Sequence, residues 1–190
     1  TGNTFDDLKA GDKGSTGAIA VGFTSGKFDV TNLLIQNNTI SNIRAKTTDY
    51  ASGGRGAYGI LINLGATALG TGKVVSPKIK DNTISNLEGF WATGIGLEGD
   101  TPGAEVKGNT ISGLTDHHAT DPYSSAVKIE SNDGAASVAI NDNNFSTIGI
   151  GSTTVGFGVN NATTTLVNGD SNYWGSVDGP SGEGMGTGVK

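Results

Sequence analysis

Asn38-Thr39-Ile40, Asn82-Thr83-Ile84 and Asn109-Thr110-Ile111 are one phrase used three times in this chain. Looser copies stand at Asn3-Thr4-Phe5, Asn143-Asn144-Phe145 and Asn172-Tyr173-Trp174. The leading asparagines are 35, 44, 27, 34 and 29 residues apart. A constant kernel at unequal spacing marks stacked structural repeats that take their insertions at set corners.

Outward from the kernel, an apolar residue sits three positions upstream of each middle asparagine: Ile35, Ile79, Val106 and Ile140. Leu166 or Val167 is a displaced equivalent in the last copy. Pairs such as Leu33 and Ile35, Ala104 and Val106, and Val138 and Ile140 alternate with polar residues. A second alternation follows each kernel: Ile19, Val21 and Phe23; Ile60, Ile62 and Leu64; Ile95 and Leu97; Val127 and Ile129; Phe157 and Val159. Period-two alternation rich in β-branched residues predicts strands with one buried face. The kernel and its two flanking runs give three strands per repeat, with successive repeats stacked in parallel about 4.8 Å apart. The fold class expected is all-β: a right-handed parallel β-helix of about five to six coils, its hand set by the crossover rule. It fills one domain over residues 1–190. Helices are disfavoured, because runs such as Gly94-Ile95-Gly96-Leu97 would cost about 1 kcal/mol per glycine in a helix.

The residue before each ladder asparagine is Asn37, Asp81, Gly108 or Asp142, types that tolerate a left-handed turn. Stacking would then align Asn38, Asn82, Asn109 and Asn143 into an internal amide ladder.

Composition fits many tight corners: 32 of the 190 residues are glycine, more than twice the roughly 7% usual. A net charge of −6 argues against nucleic acid as a partner. No run of 18 apolar residues is present to span a bilayer as a helix. With no cysteine, neither a disulfide framework nor a thiolate metal site can form. An acidic, cysteine-free chain rich in Gly, Asn, Ser and Thr fits a secreted or cell-surface protein. Because Thr1-Gly2-Asn3 already lies inside a repeat, the chain reads as a piece of a longer polypeptide.

The kernel Val106-Lys107-Gly108-Asn109-Thr110-Ile111-Ser112, and above all Asn172-Tyr173-Trp174-Gly175 followed by Asp178-Gly179-Pro180-Ser181-Gly182, resemble the pectate-lyase-like right-handed β-helix domains of exported prokaryotic surface proteins, NosD-type repeats included. The resemblance covers nearly the whole chain as a fold. It implies a β-helix whose last coil is covered by Tyr173 and Trp174. Enzymes of that superfamily carry catalytic Asp, Arg or Lys on outward strand positions. Here Arg44 and Arg55 are the only arginines and lie in or beside a loop, so the lyase pattern is not matched.

Two places could carry chemistry. The longest insertions, Arg44 to Tyr58, Glu88 to Thr93 and Thr115 to Ser125, fall at one corner of three successive repeats. They bring together Tyr50, Arg55, Tyr58, Phe90, Trp91, His117, His118 and Tyr123. Aromatics gathered with His and Arg on adjacent surface segments suit a platform for sugar rings; the alternative is a satellite core. On the second strand set, Asn63, Glu98, Glu130 and Asn160 are expected at equivalent outward positions. Glu98 and Glu130 would stand roughly 5 Å apart, the separation of carboxylates in retaining glycosidases, with Lys128 beside them. His117-His118 with Asp116 and Asp121 could supply an acid–base group. No cofactor is implied. Asp100 and Asp133 offer oxygen ligands of the sort Ca²⁺ takes, without a loop motif, and no third ligand stands at zinc spacing.

The function expected is an extracellular module that binds polysaccharide or cell-wall glycan through the aromatic corner. The alternatives are a carbohydrate-active lyase or hydrolase, and a structural surface spacer. End-to-end or side-by-side self-association is compatible with all three.

Overall fold

The structure is a computed structural model that describes residues 1–10, 14–22, 29–47, 55–63, 72–118, 124–130, 138–150, 156–164, 166–176 and 188–189. Among them every element is a strand. The chain first lays down β1 (Thr4–Asp6) and β2 (Thr16–Gly22). It continues through β3 (Val30–Thr31), β4 (Leu34–Gln36), β5 (Thr39–Arg44) and β6 (Gly56–Asn63), then β7 (Val74–Val75), β8 (Lys78–Lys80), β9 (Thr83–Gly89) and β10 (Trp91–Glu98). After these come β11 (Glu105–Lys107), β12 (Thr110–Asp116) and β13 (Ser125–Glu130), followed by β14 (Val138–Asn141), β15 (Asn144–Ile150) and β16 (Phe157–Asn161). The last two are β17 (Val167–Asn168) and β18 (Gly188–Val189).

These strands form a kernel sheet (β1-β5-β9-β12-β15), a long sheet (β18-β16-β13-β10-β6-β2), an upstream sheet (β17-β14-β11-β8-β4) and the small pair β3-β7. Every pairing is parallel. From β4 to β16 the chain visits the upstream, kernel and long sheets in that order and then returns to the first, a circuit compatible with a parallel β-helix.

The backbone turns where Gly, Asn, Asp and Ser permit it. Gly2, Asn37, Asp81, Gly108, Asp142 and Ser171 each immediately precede a ladder asparagine, and each has φ between 54° and 69°. That left-handed step turns the chain from the upstream sheet into the kernel sheet. A second set of positive φ falls four residues after the ladder asparagine, at Asp7, Asn42, Asn86, Gly113 and Thr147. A third falls six before it, at Asn32, Ser76 and Gly103.

The ladder is continuous. The backbone N–H of Asn38 and its Nδ2 both donate to Oδ1 of Asn82, at 3.0 and 2.9 Å. Asn82 donates in the same way to Asn109, Asn109 to Asn143, and Asn143 to Asn172. Because a backbone N–H can only donate, the pattern also fixes which end of each amide is oxygen. Asn109 is fully buried and Asn82 is 1% exposed, so the ladder satisfies amides that would otherwise be orphaned.

The core consists of like residues stacked in register. Phe5, Ile40, Ile84, Ile111 and Phe145 form one column of the kernel sheet. Ile35, Ile79, Val106 and Ile140 form one in the upstream sheet. Ile19, Ile60, Ile95, Val127 and Val159 form one in the long sheet. Trp174 lies across the end of the first column, its ring 5.4 Å from that of Phe145. Among the described residues the exposed large apolar side chains are Leu34, Leu166 and Tyr173, which belong to the first and last strands of the stacks or their flanks.

Three expectations are corrected. Glu88 to Thr93 is no loop, since β9 runs into β10 with Phe90 alone between them, and Tyr58 and Trp91 stand on strands. Asn160 is level with Lys128, not with Glu130, because Val159 packs on Val127 and fixes the register there. Phe157 pairs with Ser125, so it precedes the inward alternation instead of belonging to it. Phe23 and Leu64 lie outside the described residues.

Candidate functional site

The site grows from a break in the alternation of the long sheet. Ile60 and Ile62, Ile95 and Leu97, and Val127 and Ile129 point into the core. Gly59 and Gly94, one step earlier, face inward too. A Cβ on Gly94 would meet Ile111 Cγ2 at 2.7 Å and Ala126 O at 2.6 Å, and one on Gly59 would meet Ile84 Cγ2 at 2.8 Å. Two successive inward positions place the residue before them on the outer face. That residue is Tyr58, Thr93, Ser125 or Phe157, four register partners in a row. The next outward row is Leu61, Gly96, Lys128 and Asn160, and Glu98 and Glu130 follow as direct register partners. A Cβ on Gly96 would lie 2.9 Å from Leu61 Cδ1, 3.7 Å from Glu98 Oε1 and 3.8 Å from Thr93 Cγ2, which puts these three side chains around one point above the sheet.

Trp91 opens β10 and reaches back over the neighbouring strand, its Nε1 donating to the Tyr58 hydroxyl at 3.0 Å. Its register partner is Gly56, where any Cβ would collide with both rings; the glycine is what lets the indole lie across β6. Burial, with the negative charges of Glu98 and then Glu130, pushes the Tyr58 hydroxyl up to about 12. The Trp91 donor opposes that shift by favouring the phenolate. Lys128 pairs with Glu130 at 3.0 Å. Thr93 and Ser125 are fully buried, and neither Thr93 Oγ1 nor Ser125 Oγ has a hydrogen-bond partner.

Behind this face the rest of the aromatic corner packs on itself. Phe90 is 6% exposed, edge-on to Trp91 at 5.7 Å and to His118 at 4.6 Å. The backbone of Arg55 accepts from the Phe90 N–H at 2.9 Å. His117 Nε2 meets Glu88 Oε1 at 3.1 Å, and Arg44 meets the other Glu88 oxygen at 3.6 Å. Asp116 is fully buried and accepts the backbone N–H groups of His118 and Ser124 at 2.7 and 3.0 Å. Ser124 Oγ in turn accepts from Ala92 N–H at 2.8 Å. Both carboxylate oxygens of Asp116 therefore hold backbone.

The structure thus joins the two sequence candidates, since Tyr58 and Trp91 share a sheet face with Glu98 and Glu130. Tyr50, Tyr123, Asp121 and Asp133 lie outside the described residues. Asp100 pairs with Lys73 at 2.9 Å, and among the described residues no group of three or more His, Cys, Asp and Glu gathers as metal ligands would. Thr93, Ser125, Gly56 and Phe157 are contributors that sequence reasoning missed. Their only signal is register, which places small residues between and beneath rings. Compared with protein-family models, with curated proteins and with solved structures, the chain matches none of them.

Proposed function

We propose that this chain is a right-handed parallel β-helix module of an exported surface protein, and that it binds polysaccharide or cell-wall glycan on the outer face of the long sheet. The hand follows from the strong preference of parallel crossovers. The surface location rests on composition and on the resemblance to pectate-lyase-like repeat domains. The observation that carries the binding reading is the Trp91–Tyr58 pair, two rings joined by a hydrogen bond and borne on strands, with carboxylates on the same face. Trp91 is half-buried and is held from beneath by the buried Tyr58; an aromatic fixed in this way on rigid elements stacks on a sugar ring with little loss of side-chain entropy, while neighbouring polar groups orient the sugar hydroxyls.

A second reading has one specific observation in its favour: Glu98 and Glu130 are direct register partners, about 4.8 Å apart in backbone terms, close to the spacing of a retaining glycosidase pair. A glycan-array screen combined with a reducing-sugar assay separates the readings. Retention of a glycan without release of reducing ends supports the binder. Release abolished by Glu98→Gln or Glu130→Gln with affinity kept supports the hydrolase. Absence of both overturns both readings and leaves a structural spacer.

A further inference from the structure

We infer that Asn144 is an acceptor for N-linked glycosylation, and that the exposed ring of Tyr173 is the surface on which the first sugar settles. The glycosyl donor is presented outside the cytoplasm, so this rests on the exported-surface reading.

Asn144 departs from the column in which it stands. On the outer face of the kernel sheet its register partner is Thr110, followed by Thr83 and Thr39. With Ser146 two residues on, Asn144-Phe145-Ser146 is the Asn-x-Ser/Thr pattern at which oligosaccharide is transferred to an amide. The chain holds two more such patterns, Asn37-Asn38-Thr39 and Asn161-Ala162-Thr163. Only Asn144 has a carboxylate two residues ahead of it, Asp142, where the others have Ile35 and Val159. That charge is one a transferase can hold with an arginine fork. Asp142 meets Lys107 at 3.3 Å with both side chains about half exposed, a pair weak enough to yield.

Access also separates the three. Asn144 is exposed, and among the described residues its amide makes no hydrogen bond. It lies on β15, the last strand of the kernel sheet, which has only the Tyr173 bridge beyond it. A segment at such an edge opens at lower cost than one paired on both sides. In contrast, Asn161 has its Oδ1 taken by the N–H and the hydroxyl of Thr163, at 3.1 and 2.8 Å. Asn37 is fixed in a left-handed turn, φ 57°, next to ladder residue Asn38. In the transfer, Asn144 Nδ2 attacks the anomeric carbon of a sugar carried on a lipid diphosphate. The N–C bond forms as the C–O bond to the diphosphate breaks, the diphosphate leaves with the electron pair, and the amide gives up one proton.

Tyr173 supplies a second, independent support. It is 45% exposed, one of three large apolar side chains so placed among the described residues. Its register partner, in an isolated parallel bridge, is Asn144. Phe145 and Trp174, the next residue on each strand, pack together on the inner side, so Asn144 and Tyr173 share the outer face. A ring one strand spacing from the acceptor, about 4.8 Å, is placed to take the apolar face of the first sugar, and the sugar would cover a ring that is otherwise left to water.

The test exports the whole chain in a bacterium supplied with an oligosaccharyltransferase that requires an acidic residue before the acceptor, together with its lipid-linked oligosaccharide, and reads the product by intact mass and peptide mapping. A single glycan is expected, on Asn144. It should be absent in Asn144→Thr, which restores the residue of the neighbouring strands and so keeps the fold. Asp142→Asn keeps a residue suited to the left-handed turn and should lower the yield about tenfold, the scale of one charge-assisted contact. The glycosylated chain should melt about 2–4 °C above the bare one, and Tyr173→Ala should abolish that gain without lowering the yield. An exported wild-type chain left unmodified, modification at Asn37 or Asn161 instead, or an equal yield from Asp142→Asn overturns the acceptor assignment and leaves the surface reading standing. No gain in melting temperature, or a gain that persists in Tyr173→Ala, overturns the role of Tyr173. Recovery of the chain from the cytosol of its own host overturns the surface reading and the inference together.

Discussion

Asn109 holds four residues through one side chain: its Oδ1 takes both donors of Asn82, and its Nδ2 donates to Asn143 Oδ1 and to the carbonyls of Ile79 and Lys107. Asn109→Ala would orphan two buried donors of Asn82 at once. The expected cost is about 2 to 4 kcal/mol, since each buried unpaired group is worth roughly 1–3, and urea unfolding would measure it. A loss below about 0.5 kcal/mol, the size of an ordinary surface substitution, would mean that the ladder is incidental. Thr147 makes the opposite case. It has φ 55° where the equivalent residues are Asn42, Asn86 and Gly113, and a β-branched side chain is strained there. Thr147→Gly should therefore stabilise the chain by about 1 kcal/mol in the same assay, and a loss of stability would show that no strain is stored there.

At the scale of the strand, two glycines of β10 separate the inner from the outer face. A Cβ on Gly94 runs into the carbonyl of Ala126 and the Ile111 side chain, whereas one on Gly96 meets only the end of the flexible Leu61. Gly94→Ala should cost about 1 to 3 kcal/mol, the range of core overpacking, and Gly96→Ala much less. Equal costs would contradict the assignment of faces. Tyr58 gives the same sheet a pH signature. Its folded pKa of about 12 lies above the ordinary 10, so the folded chain keeps the proton longer than the unfolded one. The stability it contributes is complete below pH 10 and is lost as pH rises toward 12. Comparing wild type with Tyr58→Phe by denaturant unfolding over that window should show the steeper decline in wild type, and parallel profiles would speak against a buried phenol.

How much of this was legible depended on which local rule governed each position. The kernel, the upstream Ile and the left-handed Asn37, Asp81, Gly108 and Asp142 could be read because each used a residue type suited to its job. The turn four residues after the ladder asparagine has suitable residues at Asp7, Asn42, Asn86 and Gly113 and only Thr147 departs from them, but it falls inside a run that period-two alternation reads as unbroken strand. Sequence spacing puts Trp91 and Tyr58 in loops because the distance between kernels differs among repeats; in the shortest, between Asn82 and Asn109, β9 passes to β10 through Phe90 alone. The face carrying both the rings and the carboxylates emerges only from the double inward step at Gly59 and Gly94, which breaks the period-two pattern on which the sequence reading relied.

For the molecule as a whole, three parallel sheets tied together by one amide ladder are a firm support, which suits a surface that binds an extended ligand with little rearrangement. The exposed Leu34, Leu166 and Tyr173 belong to the terminal strands and their flanks, which leaves the Trp91 face clear of them. The most direct measurement is calorimetric titration of the best glycan from an array into wild type and Trp91→Ala, with melting followed in parallel. Glycan binding on this face predicts that Trp91→Ala weakens affinity by roughly 1 to 3 kcal/mol, the scale of an aromatic anchor, while the chain still melts cooperatively. Unchanged affinity in a folded Trp91→Ala would contradict it, as would an unfolded variant, which would show the indole to be part of a core.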